Sequence, residues 1–187
     1  MSSLSIYAGP TALQQIRRNG LHADQFKVLV GASGGPKWFV LYGLDRYLFG
    51  EFFADREAEL LTLGSSAGAW RLCCLATSDP VAAIERLAML YSRESYSDKP
   101  TVAEISKKAR AMLATVLGSE GAQQIIENQC FRTHIVTARV RGLGASRVSA
   151  LQALALMASA ASNVVSRKSL SWFFERNLFP NMGHSSP

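Results

Sequence analysis

Short apolar runs alternate along this chain with longer stretches in which apolar residues recur at helical spacing. "TALQQIRRNG" (11–20) combines good helix formers, basic residues in the last turn and Gly20 just beyond, which predicts a short helix closing on a turn. "QFKVLV" (25–30) then reads as a buried strand. Past the next glycines, Pro36 suits the first turn of a helix, and apolar residues at 38, 39, 41, 44, 48 and 49 carry that helix on. "ELLTL" (59–63) is a second strand and "AGAWRLCCLAT" (67–77) the helix behind it. The order strand, glycine loop, helix therefore occurs twice.

From 79 to 129 the pattern is helical. Asp79 before Pro80 makes an N-cap with proline at the first helical position, Thr101 and Glu104 form a capping box, and Gly118 and Gly121 punctuate two further segments. "THIVTARV" (133–140) is a third strand, broken by the glycines of "RGLGAS" before an Ala-rich helix at 148–165. "SLSWFFERNLF" (169–179) is a last amphipathic piece, and residues 180–187, "PNMGHSSP" with its first proline, form a polar tail expected to be disordered. Strands separated by helices predict an α/β fold: a three-layer sandwich with a mostly parallel central sheet flanked by helices, in one domain over 1–187. Three strands make a thin sheet, so either short strands are hidden in the pattern or the domain is incomplete at its C-terminus.

Composition narrows the class. With 187 residues, 48% hydrophobic and 18% charged, the chain has material for one real core and too little charge for disorder. No basic region followed by an apolar one opens the sequence, and Cys73, Cys74 and Cys130 fit neither a disulfide framework nor a zinc spacing, which predicts a reducing, cytoplasmic setting without a metal or other cofactor. The segment 148–165 is interrupted by Gln152, Asn163 and serines and is shorter than the roughly 20 apolar residues that span a bilayer.

The net charge of +6 is concentrated at one end. Residues 1–129 hold 13 Lys/Arg and 13 Asp/Glu, whereas 130–187 hold seven Lys/Arg against Glu175 alone. Beside an Ala/Leu-rich helix, that excess suits peripheral contact with an anionic membrane; equally, it suits a solvated face or a surface covered by acidic residues. Nucleic acid is excluded as the favoured partner, since no aromatic-interleaved basic strand or recognition helix accompanies the charges. Nothing in the pattern indicates an oligomeric state.

The chemistry lies in the two glycine loops. "GASGG" (31–35) and "GSSAG" (64–68) both read G-x-S-x-G after a strand and before a helix, which would place a serine hydroxyl at a sharp corner where unpaired helix N–H groups favour negative charge. Small residues two before and two after the serine leave room for the bend. The loops differ on the C-terminal side of the serine. Ser33 precedes Gly34 and Gly35, whose N–H groups are free to donate, the composition of an oxyanion hole, whereas Ser66 precedes Ala67 and an ordinary helix. The assignment is Ser66 as catalytic nucleophile in an elbow shaped by Gly64 and Gly68, with the amides of Gly34, Gly35 and Ala67 as oxyanion donors and Lys37 as a candidate anion contact. A phosphate-binding loop is the weaker reading, because Pro36 and Trp38 flank Lys37 where that loop needs glycine and a hydroxyl residue.

These two motifs, in this order and about thirty residues apart, resemble the patatin-like phospholipase family over residues 26–77, and more loosely to about 140. That family carries D-G-G-G-x-[RK]-G after its first strand and a G-x-S-x-G elbow after the next. Ser33, Gly34 and Gly35 stand at its glycine positions, Lys37 at its basic one and Ser66 at its serine; Ser33 and Trp38 replace the first and last glycines. The resemblance implies hydrolysis of a lipid or other carboxylic ester by a Ser-Asp dyad without histidine. Its aspartate belongs to a D-G-[GA] motif on a later strand, and this sequence has no Asp-Gly dipeptide. The chain is thus expected to stop before that aspartate and to be the N-terminal part of such a domain.

Two other readings compete. Ser66, Asp98 and His134 or His184 satisfy the order of a Ser-Asp-His triad, although "SYSDKP" makes Asp98 a turn residue. A non-catalytic module is the other: a lipid- or acyl-binding pseudo-hydrolase, or a chain that pairs with a partner supplying the missing strands. Trp38, Phe39 and Trp70 lie at helical spacing behind the loops and read as core, as does one of Cys73 and Cys74.

Overall fold

The computed structural model describes residues 5–146 and 148–181. Its frame is a four-stranded sheet in the order β1 (Val28–Gly31), β2 (Leu60–Gly64), β3 (Phe131–Val140) and β4 (Phe174–Pro180). The first three strands are parallel, with Gly31 opposite Gly64 and Gly64 opposite Ile135, and β4 runs antiparallel to the far half of β3. The fold is therefore α/β with a mostly parallel sheet and flanking helices. The strand missing from the sequence pattern is β4. Leu170, Phe173, Phe174 and Leu178 imitate helical spacing, but only Leu170–Phe173 turns helically, as α8. The residues after it pair with β3 from Val140↔Phe174 to His134↔Pro180.

Of the expected tail, only its first two residues are described. Pro180 ends β4, and the Asn181 amide donates to the Thr133 carbonyl at 2.7 Å. Residues 182–187, including His184, lie outside the described part.

Between the strands run α1 (Pro10–Asn19), α2 (Tyr42–Tyr47), α3 (Ala67–Leu75), α4 (Pro80–Ser92), α5 (Val102–Leu117), α6 (Gly121–Glu127) and α7 (Ser149–Val165). The segment after the first glycine loop begins as a 3-10 turn over Gly35–Leu41, becomes α2, and widens into a π turn at Leu48–Phe52. Asp79 caps α4 through the Ala82 amide at 3.0 Å, and Thr101 caps α5 through the Glu104 amide at 3.1 Å. The capping box is only half formed, because the Glu104 carboxylate accepts from the Ser97 amide and hydroxyl instead. Those bonds hold its carboxyl below the usual range.

Strand alternation decides where the core sits. Leu60, Thr62, Gly64 and Thr133 point to one face and are buried beneath α3, where Trp38, Phe49, Leu75, Ile84, Leu87 and Val116 complete the interior. The opposite face is open among the described residues: Val28 is 48% exposed, Val30 66% and Leu61 39%. Parallel sheets are ordinarily covered on both faces, which makes this exposed apolar face a departure from the usual pattern.

Two arginines fix the loops that frame the sheet. Arg56 has a fully buried side chain and donates to the carbonyls of Phe26, Ala58 and Glu59 as well as to that of Ala23, tying the entrance of β1 to that of β2. Arg71 on α3 grips Asp45 of α2 through two bonds, Nε to Oδ2 at 2.6 Å and Nη2 to Oδ1 at 2.5 Å. Asp45 is almost fully buried, so α3 is clamped to α2 by an ion pair largely shielded from water. No helix among the described residues is long and apolar enough to cross a membrane.

Candidate active site

Both glycine loops emerge from the same end of neighbouring parallel strands, and their backbones touch. A Cβ on Gly68 would lie 2.1 Å from the Gly31 carbonyl oxygen and 2.7 Å from that of Ala32, and one on Gly64 would lie 2.6 Å from the Cα of Ala69. The glycines two before and two after Ser66 are thus required by contact, because α3 starts directly against the end of β1. Gly68→Ala is expected to push the two loops apart. Overpacking ordinarily costs about 1–3 kcal/mol, and here the obstacles are backbone atoms, so thermal denaturation should place this variant at the upper end of that range.

The corner itself is Ser66. It has φ 51° and ψ −131° and is the one non-glycine residue with positive φ among the described residues. An L residue pays about 1–3 kcal/mol to sit in such a region. A serine at a helix N-cap normally accepts a hydrogen bond from the amide two or three residues on, but Ser66 makes no cap bond and is exposed. Its carbonyl accepts from the amides of Ala69 and Trp70 at 3.0 and 3.3 Å, which starts the helix while the twisted backbone turns the hydroxyl away from it.

Ser33 is arranged otherwise. Its hydroxyl lies 2.6 Å from the Ser65 hydroxyl and 3.3 Å from the Ser65 carbonyl, so it stitches the two loops together. The Ser65 amide completes the seam by donating to the Gly31 carbonyl at 3.3 Å. Beyond it, the amides of Gly34 and Gly35 donate to no acceptor among the described residues, and Gly35 takes φ 50°, open to glycine without strain. The Ala67 amide, at the first position of α3, is likewise without a backbone acceptor among the described residues.

Two cavities meet at Ser66, which alone among the described residues lines both. The smaller, about 610 Å³, is apolar and aromatic, walled by Phe39, Trp70, Tyr91, Tyr96, Ile105 and Met112, with Ala67 and Pro36 at the loops. The larger, about 1350 Å³, is bordered by Ser33 and Ser65, by Val136–Ala138 of β3, and by Arg167, Lys168 and Arg176. Phe39 and Trp70, expected in the core, are therefore half-buried cavity walls, whereas Trp38 does pack inside. Tyr91, Tyr96 and Met112 carry no motif, and nothing in the sequence ties them to a loop so far upstream.

Other expected participants lie elsewhere. Lys37 is exposed and lines neither cavity. Asp98 and His134 line neither cavity either, and the His134 Nδ1 is engaged with the Arg132 carbonyl at 2.9 Å. A triad with Ser66 is not assembled among the described residues. The carboxylate that does share a cavity with Ser66 is Glu94, and Lys108 holds it at 3.5 Å. Thiol chemistry is also disfavoured: burial pushes the Cys74 thiol up to about 12 and the Cys73 thiol up to about 11, which keeps both neutral near pH 7. No group of three or more His, Cys, Asp and Glu able to hold a metal occurs among the described residues.

Comparison with protein-family models, curated proteins and solved structures finds no match for this chain.

Proposed function

We propose that this chain is a serine acyl hydrolase of the patatin-like phospholipase type, with Ser66 as nucleophile and the amides of Gly34, Gly35 and Ala67 as oxyanion donors. The observation that carries the reading is the backbone of Ser66: a strained, exposed, uncapped serine at the corner between a central parallel strand and a helix. Strain of this kind persists only where the surroundings enforce it, and here Gly31, Gly64 and Gly68 do so by direct contact.

In the reaction, Ser66 Oγ bonds to the ester carbonyl carbon and its proton passes to a general base. The carbonyl oxygen gathers negative charge against the loop amides, the carbon–oxygen bond to the alcohol breaks, and the alcohol leaves with a proton. Water then releases the acid by the same route in reverse. Such a step calls for a carboxylate base, and among the described residues Glu94 is the carboxylate that lines a cavity with Ser66; on this reading the domain is a three-layer sandwich, with Val28, Val30 and Leu61 on the sheet face opposite α3. The substrate is a lipid or other carboxylic ester, and the setting is cytoplasmic, with peripheral membrane contact.

A p-nitrophenyl ester tests this directly, because its leaving group departs without help from an acid. Incubation of the protein with p-nitrophenyl octanoate should add one octanoyl mass to the chain. A chain that neither carries the adduct nor releases p-nitrophenol, or an adduct or release that persists in Ser66→Ala, would overturn the reading. One observation favours a second reading, a non-catalytic module that binds a partner: the uncovered sheet face offers a partner a ready surface. That reading predicts binding to other protein with no acyl adduct at all.

A further inference from the structure

The two cavities at Ser66 differ in chemistry, and the difference divides an ester in two. The smaller one offers mainly aromatic and aliphatic walls close to the serine, the surroundings an acyl chain needs. The larger one is rimmed by Arg167 and Lys168, from the turn between α7 and α8, and by Arg176 on β4, opposite Ala138 of β3. No acidic residue lines it among the described residues.

Of the other basic residues described in the same third of the chain, Arg132 pairs with Glu59 at 3.2 Å and Arg141 with Glu175 at 3.1 Å, while Arg139 makes no ion pair among the described residues. Arg167, Lys168 and Arg176 make no ion pair among the described residues, though Glu175 is the immediate neighbour of Arg176. Alternation along β4 places Glu175 and Arg176 on opposite faces of the sheet, so the carboxylate serves Arg141 on one side while Arg176 faces the cavity on the other. Arg167, Lys168 and Arg176 are exposed residues lining one cavity, so an oxyanion bound there would accept charge-assisted hydrogen bonds from them and balance their charge.

We propose that this basic cavity is a subsite for a phosphate-type oxyanion on the alcohol side of the ester, with Arg167, Lys168 and Arg176 as the residues that recognise it. The proposal rests on the reading of Ser66 as nucleophile for its orientation: the acyl group enters the aromatic cavity, and the alcohol bearing the anion leaves through the basic one. Arg167, Lys168 and Arg176 thereby set preference for an anionic alcohol portion over a neutral one. The charge excess of the last third of the chain acquires a defined place, at the mouth of the site.

Isothermal titration calorimetry with glycerol 3-phosphate, and with glycerol as the neutral counterpart, tests the subsite without requiring any turnover. Saturable one-to-one binding of glycerol 3-phosphate, and none of glycerol, is expected. Arg176→Ala should weaken that binding about tenfold or more, the usual scale for a hydrogen bond to a charged group. The variant R167A/K168A/R176A should abolish it, while Lys37→Ala, at a residue that lines neither cavity, leaves it intact. Arg176→Lys, which keeps the charge and the strand, should recover part of the loss and shows that the effect is not one of folding.

Equal binding of glycerol and glycerol 3-phosphate, or full binding by a triple variant of unchanged circular dichroism, would overturn the proposal. An absent acyl adduct with intact anion binding would instead remove Ser66 from the account and leave the subsite standing. Vesicles of phosphatidylglycerol in phosphatidylcholine distinguish the source of the anion. Binding through the same three residues at lipid phosphate concentrations below those of glycerol 3-phosphate marks a membrane headgroup, and the reverse order marks a dissolved ester.

Discussion

Ser66→Ala is expected to remove acylation of the chain altogether, and Ser66→Gly to do the same while making the protein more stable. The loss of chemistry reflects the loss of the nucleophile. Where the general base is engaged, deleting the serine of such a catalytic unit lowers kcat by about 10⁶; without the base, the loss is read as disappearance of the acyl adduct. The gain in stability is the more telling half. At φ 51° and ψ −131° any side chain costs about 1–3 kcal/mol, so glycine releases that strain and gives back about 0.5–1 kcal/mol in unfolded-chain entropy. A net gain of about 1 kcal/mol should appear as a raised denaturation midpoint for Ser66→Gly but not for Ser66→Ala, which keeps a Cβ. Ser33→Ala should show neither effect on acylation, since its hydroxyl is occupied by Ser65.

The second large effect concerns the clamp behind the elbow. Asp45→Ala would leave the Arg71 guanidinium nearly buried without its carboxylate, and breaking such a pair from one side costs about 3–5 kcal/mol. Urea denaturation should register most of that loss. Replacing both partners, Asp45→Leu with Arg71→Met, should recover much of it, because the penalty lies in the stranded charge and not in the absence of the pair. A double variant as unstable as Asp45→Ala would show that packing around α2, and not charge, is at stake.

The comparison of sequence and structure separates local from distant causes. Both elbows were legible because the requirement for small residues is local: the chain must turn from strand to helix within a few positions, and Gly64 and Gly68 sit where the neighbouring backbone leaves no room. The choice of Ser66 over Ser33 rests, in the sequence, only on the glycines after Ser33; the strained backbone on which the proposed role draws could not have been read from composition. β4 was hidden because Phe174, Arg176 and Leu178 on one face and Glu175, Asn177 and Phe179 on the other show no apolar alternation. Its strand form comes from the free edge of β3. Glu104 left its capping box for the same kind of reason, since Ser97 offers its carboxylate two donors from a loop that sequence spacing does not place.

The walls of the two cavities lie at the far end of this scale. Tyr91, Tyr96 and Met112 reach Ser66 only through the packing of α4 and α5 on α3, and Arg167 and Arg176 only through the return of the chain to β4. The uneven charge was the one available signal of the latter. It suited an anionic membrane, a solvated face or a covered surface alike, and did not say that these residues would line a cavity beside Ser66.

The measurement closest to the central claim is reaction of the protein with a fluorophosphonate, followed by peptide mapping of the adduct by mass spectrometry. A single phosphonyl adduct on Ser66, absent from Ser66→Ala and retained in Ser33→Ala, is the predicted result. An adduct on Ser33 or Ser65, or an unmodified chain whose circular dichroism shows it folded, would contradict the assignment of Ser66 as nucleophile.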